Sequence, residues 1–61
     1  MRLYRYYVLS PQDRIAEERR LDCIDDRRAV QGGLRLRRDR YAVEVWSGER
    51  LVARLGGDLR I

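Results

Sequence analysis

Cys23 is the only cysteine of this 61-residue chain, which contains no histidine. A single thiol cannot close a disulfide within the chain, and without histidine it cannot complete a tetrahedral zinc site. A chain this short buries only roughly 60% of the surface that its unfolded form exposes, so small domains usually need a disulfide, a metal or a partner. The sequence therefore predicts one small domain over residues 1–61, stabilised by self-association as a homodimer.

The hydropathy of the chain argues against a membrane protein. No apolar run approaches the roughly 18 residues that a spanning helix needs. Tyrosine and arginine within Met1 to Arg5 interrupt the apolar core that a signal peptide requires. We therefore expect a cytoplasmic protein, because a lone thiol stays reduced there.

The charge balance is basic, with 14 basic against 10 acidic residues and a net charge of +4. Every basic residue is arginine, and lysine, asparagine, threonine, histidine and phenylalanine are absent. A codon bias towards GC explains much of this, which weakens the inference that the arginines bind phosphate. The excess lies in residues 25–40, where six arginines face three aspartates.

The first half of the chain has the pattern of a β-hairpin. Leu3 to Leu9 is rich in tyrosine and predicts a half-buried strand. Ser10 to Asp13 predicts a turn, because proline presets φ and both end residues hydrogen-bond locally. A second strand follows from about Ile15 to Cys23, with Ile15, Leu21 and Cys23 on one face. Its charged centre, residues 17–20, also suits a helix.

Asp25 and Asp26 mark the start of a predicted helix that runs to about Arg38. Either aspartate can cap the helix, and both place negative charge at the positive end of its dipole. At 100° steps the helix separates two arcs. The polar arc holds Arg27, Arg28, Gln31, Arg35 and Arg38, and the apolar arc holds Ala29, Val30, Gly33, Leu34 and Leu36.

The pair Gly32–Gly33 is unfavourable within a helix, by about 1 kcal/mol per residue relative to alanine. One interpretation is that the helix backbone approaches a sheet closely at Gly33. The other is that the helix kinks or starts later. We favour the close approach.

The last part of the chain predicts a second hairpin, from Tyr41 to Leu55. A three-residue loop, Ser47 to Glu49, pairs Trp46 with Arg50 and separates the faces cleanly. One face then holds Tyr41, Val43, Val45, Leu51, Ala53 and Leu55, and the other holds Ala42, Glu44, Trp46, Arg50, Val52 and Arg54. Residues 56–61 are expected to fray.

These elements predict an α+β fold with the order ββαββ. Two β-hairpins form an antiparallel sheet, and one amphipathic helix covers one of its faces. Whether the two hairpins pair within one chain or are exchanged between two chains stays open, because a single helix joins them.

A motif spread over most of the chain resembles a family of small uncharacterised bacterial proteins of about this length. It reads Cys23-x-Asp25-Asp26-x-x-Ala29-Val30, followed by Glu44-Val45-Trp46-x-Gly48-x-Arg50-Leu51-Val52-Ala53. These are cap, core and turn positions, so the resemblance implies a fold; the function of the family is unknown. The chain departs from the family at Gly32–Gly33, where alanines are usual, and at Pro11 to Asp13.

The residues needed for catalysis are missing, so we expect no enzyme, cofactor or metal. Histidine, the usual general base, is absent. Cys23 precedes the helix N-terminus, where a thiolate can be stabilised, but a small packed residue is the favoured interpretation. Asp25 and Asp26 are better explained as a helix cap, and the glycine pairs do not match a phosphate-binding loop.

Two surfaces remain as candidates for function. The first is the sheet face away from the helix: Trp46, Arg50, Arg54, Glu44, Tyr7 and Arg5. Such residues suit a protein interface, a stacking platform for single-stranded nucleic acid, or an ordinary sheet face. The second is the basic helix face: Arg27, Arg28, Arg35 and Arg38.

The function predicted from the sequence is a non-enzymatic protein–protein interaction module that self-associates through the sheet face around Trp46. A Trp46–Arg50 cation–π pair is expected there. The alternative is a small basic protein that binds nucleic acid through Arg35, Arg38, Arg50 and Arg54.

Overall fold

The computed structural model describes residues 1–57 and has the ββαββ order expected from the sequence. The elements are β1 (Arg2–Leu9), β2 (Ile15–Cys23), α1 (Asp26–Leu36), β3 (Ala42–Ser47) and β4 (Arg50–Gly56). The strands form one antiparallel sheet in the order β2-β1-β3-β4. The predicted α+β fold is confirmed. Gly56 pairs with Ala42 as the last residue of β4, and the fraying of residues 56–61 stays a prediction. Residues 58–61 lie outside the described part.

The first hairpin confirms a strand, and not a helix, from Ile15 to Cys23. The turn is closed by Ser10, whose backbone pairs with Asp13 and Arg14 at 2.8 Å each. A β-bulge shifts the register, so that Val8 pairs with Glu17 and Leu9 with Ile15. Ile15 therefore shares the face of Leu9, and the prediction that it shares the face of Leu21 and Cys23 is wrong. The extra residue breaks the two-residue alternation on which that prediction depended.

The core lies between the helix and the inner face of the sheet. Tyr4, Tyr6 and Val8 alternate along β1 and are fully buried, as are Val43 and Val45 on β3. From the helix side Ala29 is fully buried, and Leu36 packs against this cluster. The alternation of β1 thus selects which tyrosines enter the core and leaves Tyr7 on the opposite face.

The helix N-terminus is capped as expected. Asp25 has an extended backbone, and its Oδ1 accepts the backbone N–H of Arg28 at 2.9 Å. The helix ends at Leu36, two residues before the predicted end at Arg38. Leu36 is the last residue of the helix to pack on the core, and residues 37–40 after it are exposed, so no core packing supports a further helical turn.

Gly33 is where the helix comes closest to the sheet. A Cβ built on Gly33 would lie 3.0 Å from Val45 Cγ2 and 3.0 Å from Leu55 Cδ1. The helix is continuous through both glycines, so the interpretation of close approach is confirmed and the kink is not observed.

The second hairpin has a different register from the predicted one. Ser47 pairs with Arg50, and Trp46 pairs with Leu51, so the turn has two residues, Gly48 and Glu49. Of these two turn residues only Gly48 has a positive φ, 60°, which is the pattern of a type II′ turn. A bulge at Val52 then restores the expected faces for the rest of the strand, with Glu44 opposite Arg54.

Within residues 1–57 the one helix is too short to cross a lipid bilayer.

Candidate interaction surface

The face of the sheet opposite the helix, here called the open face, has no covering layer within residues 1–57. Its residues follow from the register in four transverse rows. β1 contributes a central stripe, and the other strands flank it. The open face consists of Leu3, Arg5, Tyr7 and Leu9 on β1, Ile15, Glu18, Arg20 and Asp22 on β2, Ala42, Glu44 and Trp46 on β3, and Leu51 and Arg54 on β4.

Trp46 is held in place by a short polar network. Its indole Nε1 donates to Glu44 Oε1 at 3.1 Å, and Arg54 Nη1 donates to Glu44 Oε2 at 3.1 Å. Arg54 also lies 3.5 Å from Asp13 in the first turn. Trp46 and Glu44 are only half-buried. The sequence correctly places these three side chains together, because they alternate on one face of a hairpin.

Arg5 lies beside Trp46 on the open face, on the neighbouring strand β1. Its guanidinium donates to the Gly48 carbonyl at 2.7 Å and lies 6.0 Å from the centre of the Tyr7 ring. The expected cation–π contact is therefore made by Arg5 and Tyr7, and not by Arg50 and Trp46.

Arg50 lies on the helix side, so its assignment to the open face is wrong. It pairs with Ser47, and its Nη2 contacts both carboxylate oxygens of Asp26 at 3.1 Å. The two-residue turn is the cause, because it shifts Arg50 by one position relative to Trp46 and so to the opposite face. By the same shift Leu51 moves to the open face, where it is 46% exposed.

Asp26 links the helix start to two strands. Tyr4 Oη donates to Asp26 Oδ1 at 2.7 Å, and Arg50 reaches the same carboxylate. The hydrogen bond from Tyr4, with the charge of Arg50, lowers the pKa of Asp26. That same hydrogen bond to an anion raises the pKa of Tyr4. The site is thus a structural tie, because each group stabilises the form of its partner that is present at neutral pH.

Cys23 lies at the end of β2 beside the core. Its Sγ is 3.7 Å from Tyr6 Oη, and the thiol is half-buried. Burial, with the neighbouring thiol, raises the pKa of Tyr6. Among the described residues no group of three acidic or sulfur ligands converges on a point that could hold a metal. This placement is that of a small packed side chain.

The charges of the open face balance. Arg5, Arg20 and Arg54 lie among the acidic side chains of Glu18, Asp22 and Glu44. Arg20 is 3.7 Å from Glu18, and Arg54 is paired as described above. The net positive charge of the chain therefore lies elsewhere.

The basic helix face carries that excess. Arg27, Arg28 and Arg35 are exposed, and none of them has an ion-pair partner within residues 1–57. Arg38 differs, because it lies after the helix, donates to Glu17 and covers the Tyr41 ring at 5.5 Å. Hydrogen bonding from Arg19, with the charge of Arg38, lowers the pKa of Glu17.

A shallow cleft beside this face was not foreseen from the sequence. It has a volume of about 440 Å³ and lies between the helix and the end of β2. Arg28, Gln31 and Arg35 form one rim, and Met1 and Ile24 are exposed at the other. No sequence pattern predicts this cleft, because its shape depends on how the helix packs against the edge strand β2.

Comparison with known proteins gives no relative. No protein-family model, curated protein or solved structure matches the chain. The resemblance of the sequence to a family of small bacterial proteins stays a prediction.

Proposed function

We propose that the protein is a non-enzymatic protein–protein interaction module that self-associates through its open face. In this dimer two sheets pack face to face, and the two helices lie on the outside. The sheet thereby gains the second covering layer that a sheet with apolar side chains on both faces needs. The proposal follows from the nature of the surface and not from any relative.

The observation that carries the proposal is the open face itself. It presents Trp46, Tyr7 and Leu51, each partly exposed, together with Leu3 at 54% exposure. Protein interfaces are enriched in aromatic residues and arginine. The open face has aromatic residues and three arginines, and three acidic residues on the same face match the arginines in charge.

The dimensions of the sheet also support self-association. Four strands about 4.8 Å apart and about 25 Å long have a projected face of roughly 500 Å². Side-chain relief raises the accessible area towards the roughly 800 Å² per partner of a standard interface. A monomer of this size buries little apolar surface, and this chain can form neither an internal disulfide nor a zinc site. Covering the open face in a dimer would therefore add buried surface that the monomer lacks.

The test compares two truncations on opposite sides of the molecule. Trp46→Ala removes the largest side chain of the open face, and Leu34→Ala removes an apolar side chain of the helix that is 52% exposed. Light scattering and sedimentation give the dissociation constant of each variant. We expect Trp46→Ala to weaken self-association by at least about tenfold, as for an interface anchor, and Leu34→Ala to leave it unchanged. Equal dissociation constants for Trp46→Ala and wild type would refute the proposal.

A second candidate function is binding of a nucleic-acid backbone by the basic helix face. Residues 27–38 contain five arginines and no acidic residue. Arg27, Arg28 and Arg35 are exposed without ion pairs among residues 1–57, whereas Arg50 and Arg54 are engaged by Asp26 and Glu44. The helix arginines are therefore better candidates for a nucleic-acid site than Arg50 and Arg54, which the sequence had suggested together with Arg35 and Arg38.

A salt titration tests this second candidate with matched controls. We expect single-stranded or duplex oligonucleotides to bind at low salt, with affinity falling steeply as salt rises. The Arg28→Ala/Arg35→Ala variant should lose most of this affinity, while Arg54→Ala should keep it. Absence of binding to both probes at low salt rules the function out.

A further inference from the structure

We infer that the second copy docks on the open face about a two-fold axis that runs across the strands at the level of Tyr6. This inference rests on the proposed function and gives its partner and geometry. A two-fold axis in this direction, lying between the two sheets, places each strand antiparallel over the same strand of the partner. Each residue on one side of the Tyr6 level then faces the residue equally far on the other side.

The central stripe of β1 is self-complementary about this level. Its outward residues are Leu3 and Arg5 on one side of Tyr6, and Tyr7 and Leu9 on the other. The axis therefore places Leu3 against the partner's Leu9 and Arg5 against the partner's Tyr7. The first contact covers an exposed leucine, and the second adds a cation–π contact between chains.

β2 and β3 follow the same rule in the two rows next to Tyr6. On β2, Glu18 lies in the row of Tyr7 and Arg20 in the row of Arg5, so the axis places Glu18 against the partner's Arg20 twice. On β3, Glu44 and Trp46 occupy the same two rows, so each indole, whose N–H donates to Glu44 of its own chain, lies against the partner's Glu44. Three strands thus bring unlike groups together under one operation.

A two-fold axis parallel to the strands fits less well. It would place the first hairpin over the partner's second hairpin. β2 pairs with β1 from Arg2 to Leu9, but β3 pairs with β1 only from Arg5 to Leu9. Leu3 and Asp22 would then extend past the partner's sheet, and the exposed leucine would stay in water.

Pairing through the edge of β2 also fits less well. The strand carries four consecutive charged residues, 17–20, in the middle of its free edge, which is how natural sheets prevent edge-to-edge addition. Edge pairing would also leave Trp46 and Leu51 uncovered.

Charge complementation between two variants tests the axis. Glu18→Arg places like charges at both inter-chain contacts, and so does Arg20→Glu. Each variant alone should therefore dimerise at least about tenfold more weakly than wild type. Mixing the two should restore a heterodimer, because both inter-chain contacts are then opposite in sign while the contacts within each chain remain like-charged. Native mass spectrometry with one chain isotope-labelled measures the heterodimer.

Three outcomes distinguish a failure of this two-fold axis from a failure of the proposed self-association. Restoration by Glu18→Arg with Arg54→Glu, and not with Arg20→Glu, would place the axis along the strands and overturn the inference. Restoration that is insensitive to Trp46→Ala would indicate edge pairing and overturn it as well. A wild-type chain that stays monomeric would instead overturn the proposed self-association.

Discussion

Tyr6 is the residue that joins the sheet to the helix most directly. Its ring is fully buried, and its hydroxyl donates to the Ala29 carbonyl at 2.7 Å. Tyr7, the next residue, points to the open face, and its hydroxyl has no hydrogen-bond partner among residues 1–57. The two adjacent tyrosines therefore form a natural pair of test and control.

Replacing Tyr6 by phenylalanine should destabilise the fold. The change removes one buried hydrogen bond and leaves the Ala29 carbonyl with one partner fewer, at a cost of about 1 kcal/mol. Chemical denaturation monitored by circular dichroism measures the free energy of unfolding. Tyr7→Phe should unfold like wild type at matched concentration; equal losses in both variants would mean that the Tyr6 bond contributes no specific stability.

Asp26 should make the protein sensitive to acid. Its folded pKa lies below the ordinary value because of Tyr4 and Arg50. The stabilisation is therefore complete above about pH 4, the pKa of an unfolded aspartate, and is lost as pH falls towards the folded pKa.

The measurement is the melting temperature from neutral pH to about pH 2, a range that extends below the pKa of about 4 of an unfolded aspartate. Asp26→Asn should melt lower than wild type at neutral pH, and the difference should narrow in acid. Asp25→Asn is the control at neutral pH, because asparagine caps a helix as well as aspartate does. A constant difference at all pH values would contradict the assigned role of Asp26.

At the scale of elements, the glycine pair sets the distance between helix and sheet. Gly33→Ala should gain about 1 kcal/mol of helix propensity. It should lose more than that, because the new Cβ would press on Val45 and Leu55 at 3.0 Å in a core where overpacking costs about 1–3 kcal/mol. We expect a net loss of about 1 kcal/mol in the free energy of unfolding.

The control for this substitution is Gln31→Ala, at an exposed helix position. It should be neutral or slightly stabilising, because alanine has the higher helix propensity. A Gly33→Ala variant more stable than wild type would show that the helix is free to move away from the sheet.

The sequence predicts most of the elements because local chemistry specifies them. The alternation of β1 identifies the buried tyrosines, Asp25 marks the helix start, and Gly33 signals close packing. The two bulges could not be predicted, because one inserted residue costs little locally and is decided by the twist of the whole sheet. That is why Ile15 changed face, while the short turn at Gly48 and Glu49 moved Arg50 and Leu51.

The same limit applies to the candidate surface. Trp46, Glu44 and Arg54 could be placed together from alternation alone. The balanced charge of the open face could not be predicted from the sequence. It depends on the register between β1 and β2, which places Glu18 beside Tyr7 and Arg20 beside Arg5. The cleft beside the helix likewise arises only when separate elements are assembled.

For the whole molecule, the two sides of the sheet differ in character. The open face is aromatic and electrically balanced, and the opposite side carries the helix arginines that have no ion-pair partner among residues 1–57. Face-to-face docking buries the open face and leaves the helix arginines exposed to water on both outer surfaces of the dimer. Self-association and binding of an anionic partner are therefore compatible within one assembly.

The most direct test of self-association is the absolute mass of the wild-type chain. Light scattering on a sizing column, over a roughly tenfold range of concentration, distinguishes a dimer from a monomer by mass action. We expect twice the chain mass at the upper concentrations, falling towards the monomer only on dilution. A single chain mass at every concentration would contradict the account and leave the open face exposed in the native protein.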